Sequence, residues 1–267
     1  MTRALISAAF LTLVLAVSST LAASPPETQT PGQLTVGVSL PSEGFQVGVV
    51  RGSEVLYAQG LEIDLARALT KRLGLRGTVF VQSRFDRLFS AGSKPWDVAI
   101  AEITITPERR RTTSFSRPYM SVDQGVLTAQ TLRSAPTTIA GLKRLQLCAL
   151  KRSTGAVVAQ RTIAPTKLVR LIGNVPTLML DLQTGHCDAV VYDAPALGTL
   201  KSRAPLRYGP FAGVITTGEK YGISVPRGSA LLAPVDKALA ALIADGTVER
   251  LQRKWITVHL EDLPVLR

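Results

Sequence analysis

The sequence predicts an α/β fold of two lobes, each a mostly parallel sheet with helices on both faces, and a ligand cleft between the lobes. Three observations predict it. Apolar runs of strand length alternate with segments of helical periodicity. This alternation passes through two successive cycles. A polar, extended passage near 121–124 separates the first cycle from the second.

The first cycle is a βαβαβα alternation. Apolar residues at helical spacing predict a helix over 61–73, which Gly74 ends. Thr106 is suited to cap a further helix that begins at Pro107, because proline is favoured at the first helical position. The other predicted elements are strands at 34–38, 77–82 and 98–101, a polar loop from the first strand to Gly60, and a short helix over 85–91.

The second cycle begins at residue 125 and ends with two helices. Asp245, Gly246 and Thr247 provide a stop for one of these helices and a cap for the next. The predicted strands are 125–129, 146–150, 167–171, 187–192 and a stretch near 214–225; the predicted helices lie around 139–143, from Thr154 onward, and at 175–182, 231–244 and 248–255.

The N-terminal segment has the three-part pattern of a secretory signal peptide over residues 1–23. Arg3 precedes an apolar stretch at 4–17, and small residues follow. The stretch is too short for a membrane span. A bacterial lipid anchor would need a cysteine at the end of the stretch, and there is none. We therefore expect an exported, periplasmic protein in which a linker over 24–33 leads into the first strand.

The net charge of +12 does not by itself indicate a nucleic-acid partner. Export makes one improbable, the charge is spread along the chain, and there is no zinc-finger, RNP-like or basic-helix motif. Attraction to anionic membrane surfaces or acidic ligands is one interpretation of the charge, and simple solubility is the other. With 46% hydrophobic residues, the chain can bury one large core or two smaller ones.

The chain has two cysteines, Cys148 and Cys187, each at or near the start of a predicted strand. Export permits a disulfide between them, but two small apolar residues in neighbouring strands would have the same pattern. Both interpretations remain open from the sequence. The two cysteines and two histidines, His186 and His259, show no metal-ligand spacing. We predict no metal site and no cofactor.

Arg109 and Arg110 fall in the first turn of the helix predicted to begin at Pro107. The helix dipole disfavours cations in that turn, so at least one of the two arginines is expected to face an anion. A strand that leads into a helix start with free N–H groups and a guanidinium is suited to hold a carboxylate. The alternative is that both arginines are solvated.

Polar residues follow three of the predicted strands. Thr104 lies past 98–101, Ser153 and Thr154 lie past 146–150, and Asp193 follows 187–192 directly. Ligands of such sheets bind beyond the carboxyl ends of the strands, so a cation, an anion and hydroxyls are expected to converge on one small zwitterion. Individually, Thr154 and Asp193 have the simpler interpretation of capping the helices that follow them.

Six motifs in order identify a resemblance that covers about residues 34–255. The chain resembles the periplasmic solute-binding proteins of polar amino-acid ABC transporters, the family 3 binding proteins. The motifs are GLEIDLARAL (60–69), DVAIAEITITPERRRTTSFSRPY (97–119), LKRSTG (150–155), GHCDAVVYDAP (185–195), YGISVPRG (221–228) and ADGTVERLQRKW (244–255).

The resemblance implies a role for each of the strand-end residues. Arg109 matches the arginine that binds the ligand α-carboxylate, and Asp193 matches the acid that receives the α-ammonium group. Thr104 matches a hydroxyl or backbone contact to the ligand. Thr154, with Ser153, matches the second-lobe hydroxyl and helix-start N–H groups that complete the carboxylate site.

The resemblance also implies the division of the chain. Lobe one would comprise residues 34–120 and 220–267, and lobe two residues 121–219. The two crossings, near 121–124 and 216–221, would form the hinge. We expect a monomer on the same ground.

Four further positions bear on the choice of ligand. Phe85 lies where the family has a cleft-side residue that often touches the ligand. Glu102 stands where the family usually has a small residue, and its carboxylate is expected either to favour a cationic ligand or to turn outward. Arg152 replaces a frequent glycine, and pairing of Arg152 with Glu102 as a latch is a further alternative. Phe45 is the nearest candidate for the family's aromatic lid.

The function that the resemblance implies is capture of a small amino-acid-like solute by hinge closure and delivery to an ABC-transporter permease. It implies no enzymatic activity. Two alternatives remain from the sequence: a cyclohexadienyl or arogenate dehydratase-like enzyme on the same scaffold, and a binding protein that serves a sensor. An enzyme would need an acid or base of tuned pKa in the cleft, and Glu102 is the only unusual candidate.

Overall fold

The computed structural model describes residues 25–258 and 262–267 as an α/β protein. The predicted signal peptide over 1–23 lies outside the described residues. The strands are β1 (Gln33–Val38), β2 (Val47–Arg51), β3 (Glu54–Gln59), β4 (Gly77–Gln82), β5 (Val98–Ala99), β6 (Thr113–Thr128), β7 (Leu147–Leu150), β8 (Arg170–Ile172), β9 (Ala189–Asp193) and β10 (Phe211–Pro226). The α-helices are α1 (Leu61–Arg72), α2 (Ile139–Leu142), α3 (Thr154–Val157), α4 (Val175–Gln183), α5 (Ala194–Arg203), α6 (Leu232–Ala244) and α7 (Thr247–Trp255). Across the described part of the chain, none of the helices has the length and apolar character needed to cross a membrane.

The strands form one mixed sheet, in the order β2-β3-β4-β1-β5-β10-β6-β9-β7-β8, and each half of it contains three strands that pair in parallel. The hairpin β2–β3 joins the first half through antiparallel pairing with β4. In the first half β1 pairs in parallel with β4 and β5, and in the second half β7 pairs in parallel with β8 and β9. The 16-residue strands β6 and β10 pair antiparallel in the centre and belong to both halves. The two-lobed α/β fold predicted from the sequence is thus confirmed.

The passages predicted as crossings lie in the middle of the long central strands. Their pairing register shifts between Ile215 and Glu219, where β10 turns out of the ladder. The Asp123 carboxylate holds this turn, because its Oδ1 accepts hydrogen bonds from the N–H groups of Thr217 (2.7 Å) and Gly218 (3.0 Å). Gly218 has φ +63°, a left-handed conformation that glycine adopts without strain.

Two local predictions in the first lobe are wrong. The polar loop before Gly60 contains the hairpin β2–β3. In β2, Val49 and Val50 are 54% and 45% exposed, and in β3 the buried residues Val55 and Ala58 are three positions apart, so neither strand shows a simple alternation. The helix predicted from Pro107 is only a 3₁₀ turn over Arg109–Arg111, since β6 begins at Thr113. Thr106 still provides the expected cap, as its hydroxyl oxygen accepts from the Arg109 N–H at 3.1 Å.

The last six residues depart from the lobe boundary that the sequence predicts. Helices α6 and α7 pack on the first half with α1, as expected. Residues 262–267 return to the second half, where the Val214 N–H donates to the Pro264 carbonyl and the Leu266 N–H donates to the Val214 carbonyl, both at 2.8 Å. Leu266 is buried in the core of the second half. The part of the chain that follows α7 therefore packs on the second half, although α7 itself packs on the first. Besides β6 and β10, the C-terminal part of the chain thus also contacts both halves.

Cys148 and Cys187 form a disulfide, which settles the alternative left open by the sequence. Their Cα atoms lie 5.9 Å apart, within the usual range for a bridge. Both residues are buried between β7 and α4. Asp181 lies close enough to form a group of three metal-ligand types with them, but the two sulfurs are bonded to each other and offer no thiolate.

Candidate ligand-binding site

Arg109 lies on the 3₁₀ turn before β6 and is only 6% exposed, whereas Arg110 and Arg111 are exposed. Its guanidinium carbon lies 4.2 Å from the ring centre of Phe89 and 5.3 Å from that of Phe85. Nη1 donates to the Thr104 carbonyl at 2.9 Å. Nη2 donates at 3.3 Å to the Arg152 carbonyl, which belongs to the other lobe. The guanidinium therefore lies where the two lobes meet.

The buried guanidinium stays charged at neutral pH. Burial lowers its pKa to about 10, and Asp193 and Glu219 oppose this effect by favouring the cation. The two aromatic rings lie against the guanidinium, and the N–H donors that do not bond the two backbone carbonyls are left for a further acceptor. This arrangement suits a planar acceptor such as a carboxylate.

Asp193 is the last residue of β9 and comes from the second lobe. Its Oδ1 accepts from the Gln124 amide at 2.5 Å, and its Oδ2 accepts from the Tyr221 hydroxyl at 2.6 Å. Burial raises the pKa of Asp193 to about 6, and the nearby Glu219 carboxylate adds to the increase. Asp193 opens α5 but makes no side-chain cap hydrogen bond there, so the simple capping interpretation does not account for it.

Two hydroxyls from opposite lobes complete the centre of the site. The side-chain oxygens of Thr104 and Thr154 lie 3.5 Å apart. Thr104 follows β5, and Thr154 is the first residue of α3. Ser153 is used locally: its hydroxyl caps α3 by accepting from the Ala156 N–H and donates to the Leu150 carbonyl. The structure therefore brings Arg109, Asp193, Thr104 and Thr154 together, and it gives Ser153 a supporting position.

The two predicted aromatic contacts have different positions. Phe85 lies beside the Arg109 guanidinium, next to the site. Phe45 is fully buried in the core and meets the ring of Tyr221 edge-on, with 6.0 Å between ring centres. The role of Phe45 as an aromatic lid stays a prediction, and in this structure its side chain has no exposed surface. Its contact with Tyr221 instead supports the residue that holds Asp193.

Glu102 is buried and does not pair with Arg152. Its backbone N–H donates to the Glu62 carboxylate at 2.6 Å, while its own Oε2 has no hydrogen-bond partner among the described residues. Burial raises the pKa of Glu102 well above its usual range, and the neighbouring Glu62 and Asp193 raise it further. Arg152 is exposed, so the latch prediction is wrong. Both residues have positive φ, 52° for Glu102 and 64° for Arg152. These are the two positions where the resemblance leads us to expect a small residue or glycine.

Several residues that build the site were not predicted from the sequence. Glu62 on α1 is buried and accepts hydrogen bonds from Tyr119 and Gln46, and burial raises its pKa to about 7. Gln124 and Tyr221 hold Asp193, and Glu219 accepts from Thr104 at 2.8 Å. A signal for Glu62 was present, because it interrupts an apolar surface within GLEIDLARAL. Gln124 and Glu219 lie in the two segments, 121–124 and 216–221, that the sequence predicts as connections between the lobes and not as part of the site.

The site thus combines one buried cation with several buried or half-buried carboxyls. Arg109 comes from one lobe and Asp193 from the other. Each is bonded to protein groups other than its opposite charge. A small molecule with separate anionic and cationic ends complements this arrangement, and the hydroxyls of Thr104 and Thr154 lie between the lobes to receive it.

The chain matches a family model over residues 34–258, that of the bacterial extracellular solute-binding proteins, family 3. It is 31% identical to an arginine-binding protein of an Escherichia coli ABC transporter, over 73% of this chain and 81% of that protein. It is 29% identical to the histidine-binding periplasmic protein of Salmonella typhimurium, over 92% and 94% of the two chains.

A solved structure with a similar fold is that of an ancestral amino-acid-binding protein described as a precursor of cyclohexadienyl dehydratase. The TM-score is 0.71 and the sequence identity is 26%, and the match covers 85% of this chain and 96% of that one.

Proposed function

This chain belongs to the bacterial extracellular solute-binding proteins, family 3, and from that membership we propose that it captures a basic amino acid between its lobes and presents it to an ABC-transporter permease. One observation carries the proposal: Arg109 and Asp193 reach the lobe interface from opposite sides, both buried and not paired with each other. Two buried opposite charges that remain apart favour a zwitterion that bridges them.

The α-carboxylate is proposed to bind Arg109. Two of the five N–H donors of the guanidinium are used on backbone carbonyls, which fix its position, and the others are available to a carboxylate. Stacking on Phe85 and Phe89 fixes the plane of the fork before the ligand arrives. A pre-oriented donor loses little side-chain entropy on binding, which favours affinity.

The α-ammonium group is proposed to bind Asp193, with Thr104 as a second acceptor. Tyr221 and Gln124 each donate to one oxygen of the Asp193 carboxylate, so its orientation is set from two sides. Each of these oxygens retains a lone pair for an ammonium N–H. Because Asp193 belongs to the second lobe, this contact forms only when the lobes are closed.

The charge balance of the site supports a ligand with a second positive charge. The carboxylates of Asp193 and Glu219 both act on the Arg109 guanidinium, and the buried carboxyls of Glu62 and Glu102 lie near Asp193. The unpartnered Oε2 of Glu102 is proposed to receive a cationic side chain of the ligand. The arginine- and histidine-binding relatives are consistent with this class of solute.

Hinge closure is proposed to occur at the crossings 121–124 and 216–221. The register shift in the β6–β10 ladder and the turn held by Asp123 lie in this segment. The ligand shifts the population to the closed form to the extent that it binds that form more tightly. We further propose that the protein is exported, resides in the periplasm and is a monomer.

A dehydratase-like activity is the alternative that one observation favours. The similar ancestral protein is described as a precursor of such an enzyme, and Glu102 has a raised pKa that suits a general acid. The titratable groups near Glu102 are the carboxyls of Glu62 and Asp193 and the hydroxyls of Tyr119, Tyr192 and Tyr221. Glu62 and Asp193 are both held by hydrogen bonds from protein groups, and the relatives that match most of this chain are binding proteins. We therefore propose a binding protein and not an enzyme.

A thermal-shift screen of refolded, ligand-stripped protein tests the proposal. The panel comprises the common amino acids, polyamines, prephenate and arogenate. A ligand at one hundred times its dissociation constant adds about 2.7 kcal/mol to the stability, which is readily detected. We expect arginine, lysine or histidine to raise the melting temperature most. A shift with prephenate or arogenate alone, followed by their consumption, would instead establish the enzyme.

A further inference from the structure

We propose that Glu219, at the crossing of the second long strand, is a further residue of the amino-acid site, where its carboxylate serves the ammonium end together with Asp193. This inference rests on the proposed function. The family resemblance implies a hinge that contains Glu219 but implies no ligand contact for it, and the residue lies outside the strand-end set that the sequence predicts.

Glu219 contacts groups from both sides of the lobe interface. Its Oε2 accepts from the Thr104 hydroxyl at 2.8 Å, and Thr104 belongs to the first lobe. Its Oε1 accepts from the Gln124 amide at 3.2 Å, on the neighbouring central strand. The side chain is half-buried, although residues 218 and 220 on either side are exposed. A hinge residue thus directs its carboxylate toward the site and not toward solvent.

Glu219 and Asp193 share one donor. The Gln124 Nε2 group has two hydrogens but lies within hydrogen-bond distance of three acceptors: Asp193 Oδ1 at 2.5 Å, Glu219 Oε1 at 3.2 Å and Thr154 Oγ1 at 3.3 Å. The two carboxylates therefore have more acceptor capacity than this amide can satisfy. An ammonium group has three N–H donors and a positive charge, so it supplies what the amide lacks.

Glu219 also sets the direction of the Thr104 hydroxyl. Because the hydroxyl hydrogen is donated to Glu219, the lone pairs of the Thr104 oxygen are left to accept. An acceptor at this position suits an ammonium N–H and repels a carboxylate. The same contact ties the hinge to the first lobe, since Glu219 lies next to the register shift between β6 and β10. Ammonium binding and lobe closure are thereby coupled through one side chain.

The variant Glu219→Gln tests this role, with Glu54→Gln on the exposed hairpin as the control. Affinity is measured by calorimetry for the best amino acid of the wild-type screen and for its des-amino analogue, which keeps the carboxylate and side chain. We expect about a tenfold or greater loss for the amino acid and less than about a threefold change for the analogue. The Glu54→Gln variant is expected to match the wild type with both ligands.

Three other results would overturn the inference. Equal losses for both ligands would indicate a general effect on closure. Unchanged affinities would remove Glu219 from the site. A gain in affinity would mean that Glu219 occupies the position of the ligand carboxylate in the free protein. If no amino acid bound to the wild type, the proposed function would fail, and this inference would fail with it. If the wild type binds an amino acid and Glu219→Gln binds it equally well, only this inference fails.

A measurement without ligand probes the same pair. Carbon-13 NMR of the Asp193 side chain reports its pKa in the wild type and in Glu219→Gln. Removal of the neighbouring carboxylate is expected to lower the pKa of Asp193, because Glu219 raises it in the wild type. An unchanged pKa would mean that the two carboxyls do not act as a pair, and it would overturn the inference.

Discussion

The Arg109 guanidinium and the Asp193 carboxylate stabilise each other's charge across the lobe interface without an ion pair between them among the described residues. Arg109 donates to backbone carbonyls, and Asp193 accepts from an amide and a phenol. Direct contact would leave both charges satisfied and the closed form stable without ligand. Their separation instead makes the ligand the element that completes the interface.

The first prediction concerns Arg109. We expect Arg109→Ala to weaken binding of the amino-acid ligand by about 2–4 kcal/mol, because the ligand carboxylate is then buried without its partner. Calorimetric titration measures the change. Arg110→Ala is the matched control, since Arg110 is adjacent but exposed. Equal affinity of the two variants would remove the carboxylate role from Arg109.

The second prediction concerns the pH dependence of stability without ligand. The pKa of Glu62 is raised to about 7 and that of Asp193 to about 6, so the folded protein binds more protons than the unfolded chain near these values. Stability is therefore expected to rise as the pH falls from 8 to 5, by about 1.4 kcal/mol per pH unit for each carboxyl in its range. Chemical denaturation at several pH values measures it. The slope should decrease in a Glu62→Gln variant, and the same slope there would contradict the assignment.

The third prediction is the opposite dependence for ligand binding. An ammonium ligand requires Asp193 to be ionised, and the burial that raises its pKa to about 6 makes protonation compete with the ligand below that value. Affinity is expected to fall by up to about tenfold per pH unit below pH 6. Calorimetry at pH 5, 6 and 7.5 tests this. An affinity independent of pH across this range would exclude Asp193 as the acceptor.

The fourth prediction separates stability from function at Glu102. The variant Glu102→Gln removes a buried carboxyl whose pKa is raised by burial, so at pH 8 we expect it to be more stable than the wild type by about 1–3 kcal/mol. The advantage should diminish as the pH falls, because a carboxyl whose pKa is raised on folding destabilises the folded state less at lower pH. Preference for basic over neutral amino acids is expected to decrease. Glu108→Gln, an exposed residue near the same turn, should change neither property.

The fifth prediction concerns the C-terminal segment. Leu266 is 4% exposed in the core of the second lobe, whereas its neighbour Val265 is 50% exposed. We expect Leu266→Ala to lower the free energy of unfolding by about 2–4 kcal/mol and Val265→Ala by less than about 0.5 kcal/mol. Urea denaturation compares the two. Similar small effects would show that the segment does not contribute to the folded core.

The alternation of strands and helices was predictable from the sequence because several strands, such as β1, β7 and β9, are almost entirely buried. Such strands appear in the sequence as continuous apolar runs. The sequence also predicted that Thr104, Thr154 and Asp193 follow strand ends, since the carboxyl edge of a parallel sheet is a property of chain order. The β2–β3 hairpin escaped prediction because Val49 and Val50 of β2 are exposed and the buried residues of β3 do not alternate with exposed ones. The segment 262–267 escaped because its pairing with β10 depends on a contact distant in sequence.

The residues that support Asp193 were not predictable in the same way. Gln124 faces Asp193 because β6 pairs with β9 in a particular register, and Tyr221 reaches it from the partner strand β10. Neither register nor side-chain direction at a crossing follows from one sequence. The positive φ of Glu102 and Arg152 was indicated only indirectly, by the small residues expected at both positions.

The redox state of Cys148 and Cys187 reports whether a molecule folded in an oxidising or a reducing compartment. Both cysteines are buried, and such bonds form in oxidising compartments and are rare in the cytosol. Chains held in a reducing compartment would carry two thiols, and chains folded in an oxidising compartment would carry none that react after denaturation. Thiol labelling of material quenched directly from cells therefore measures the fraction of chains in which this bond has formed.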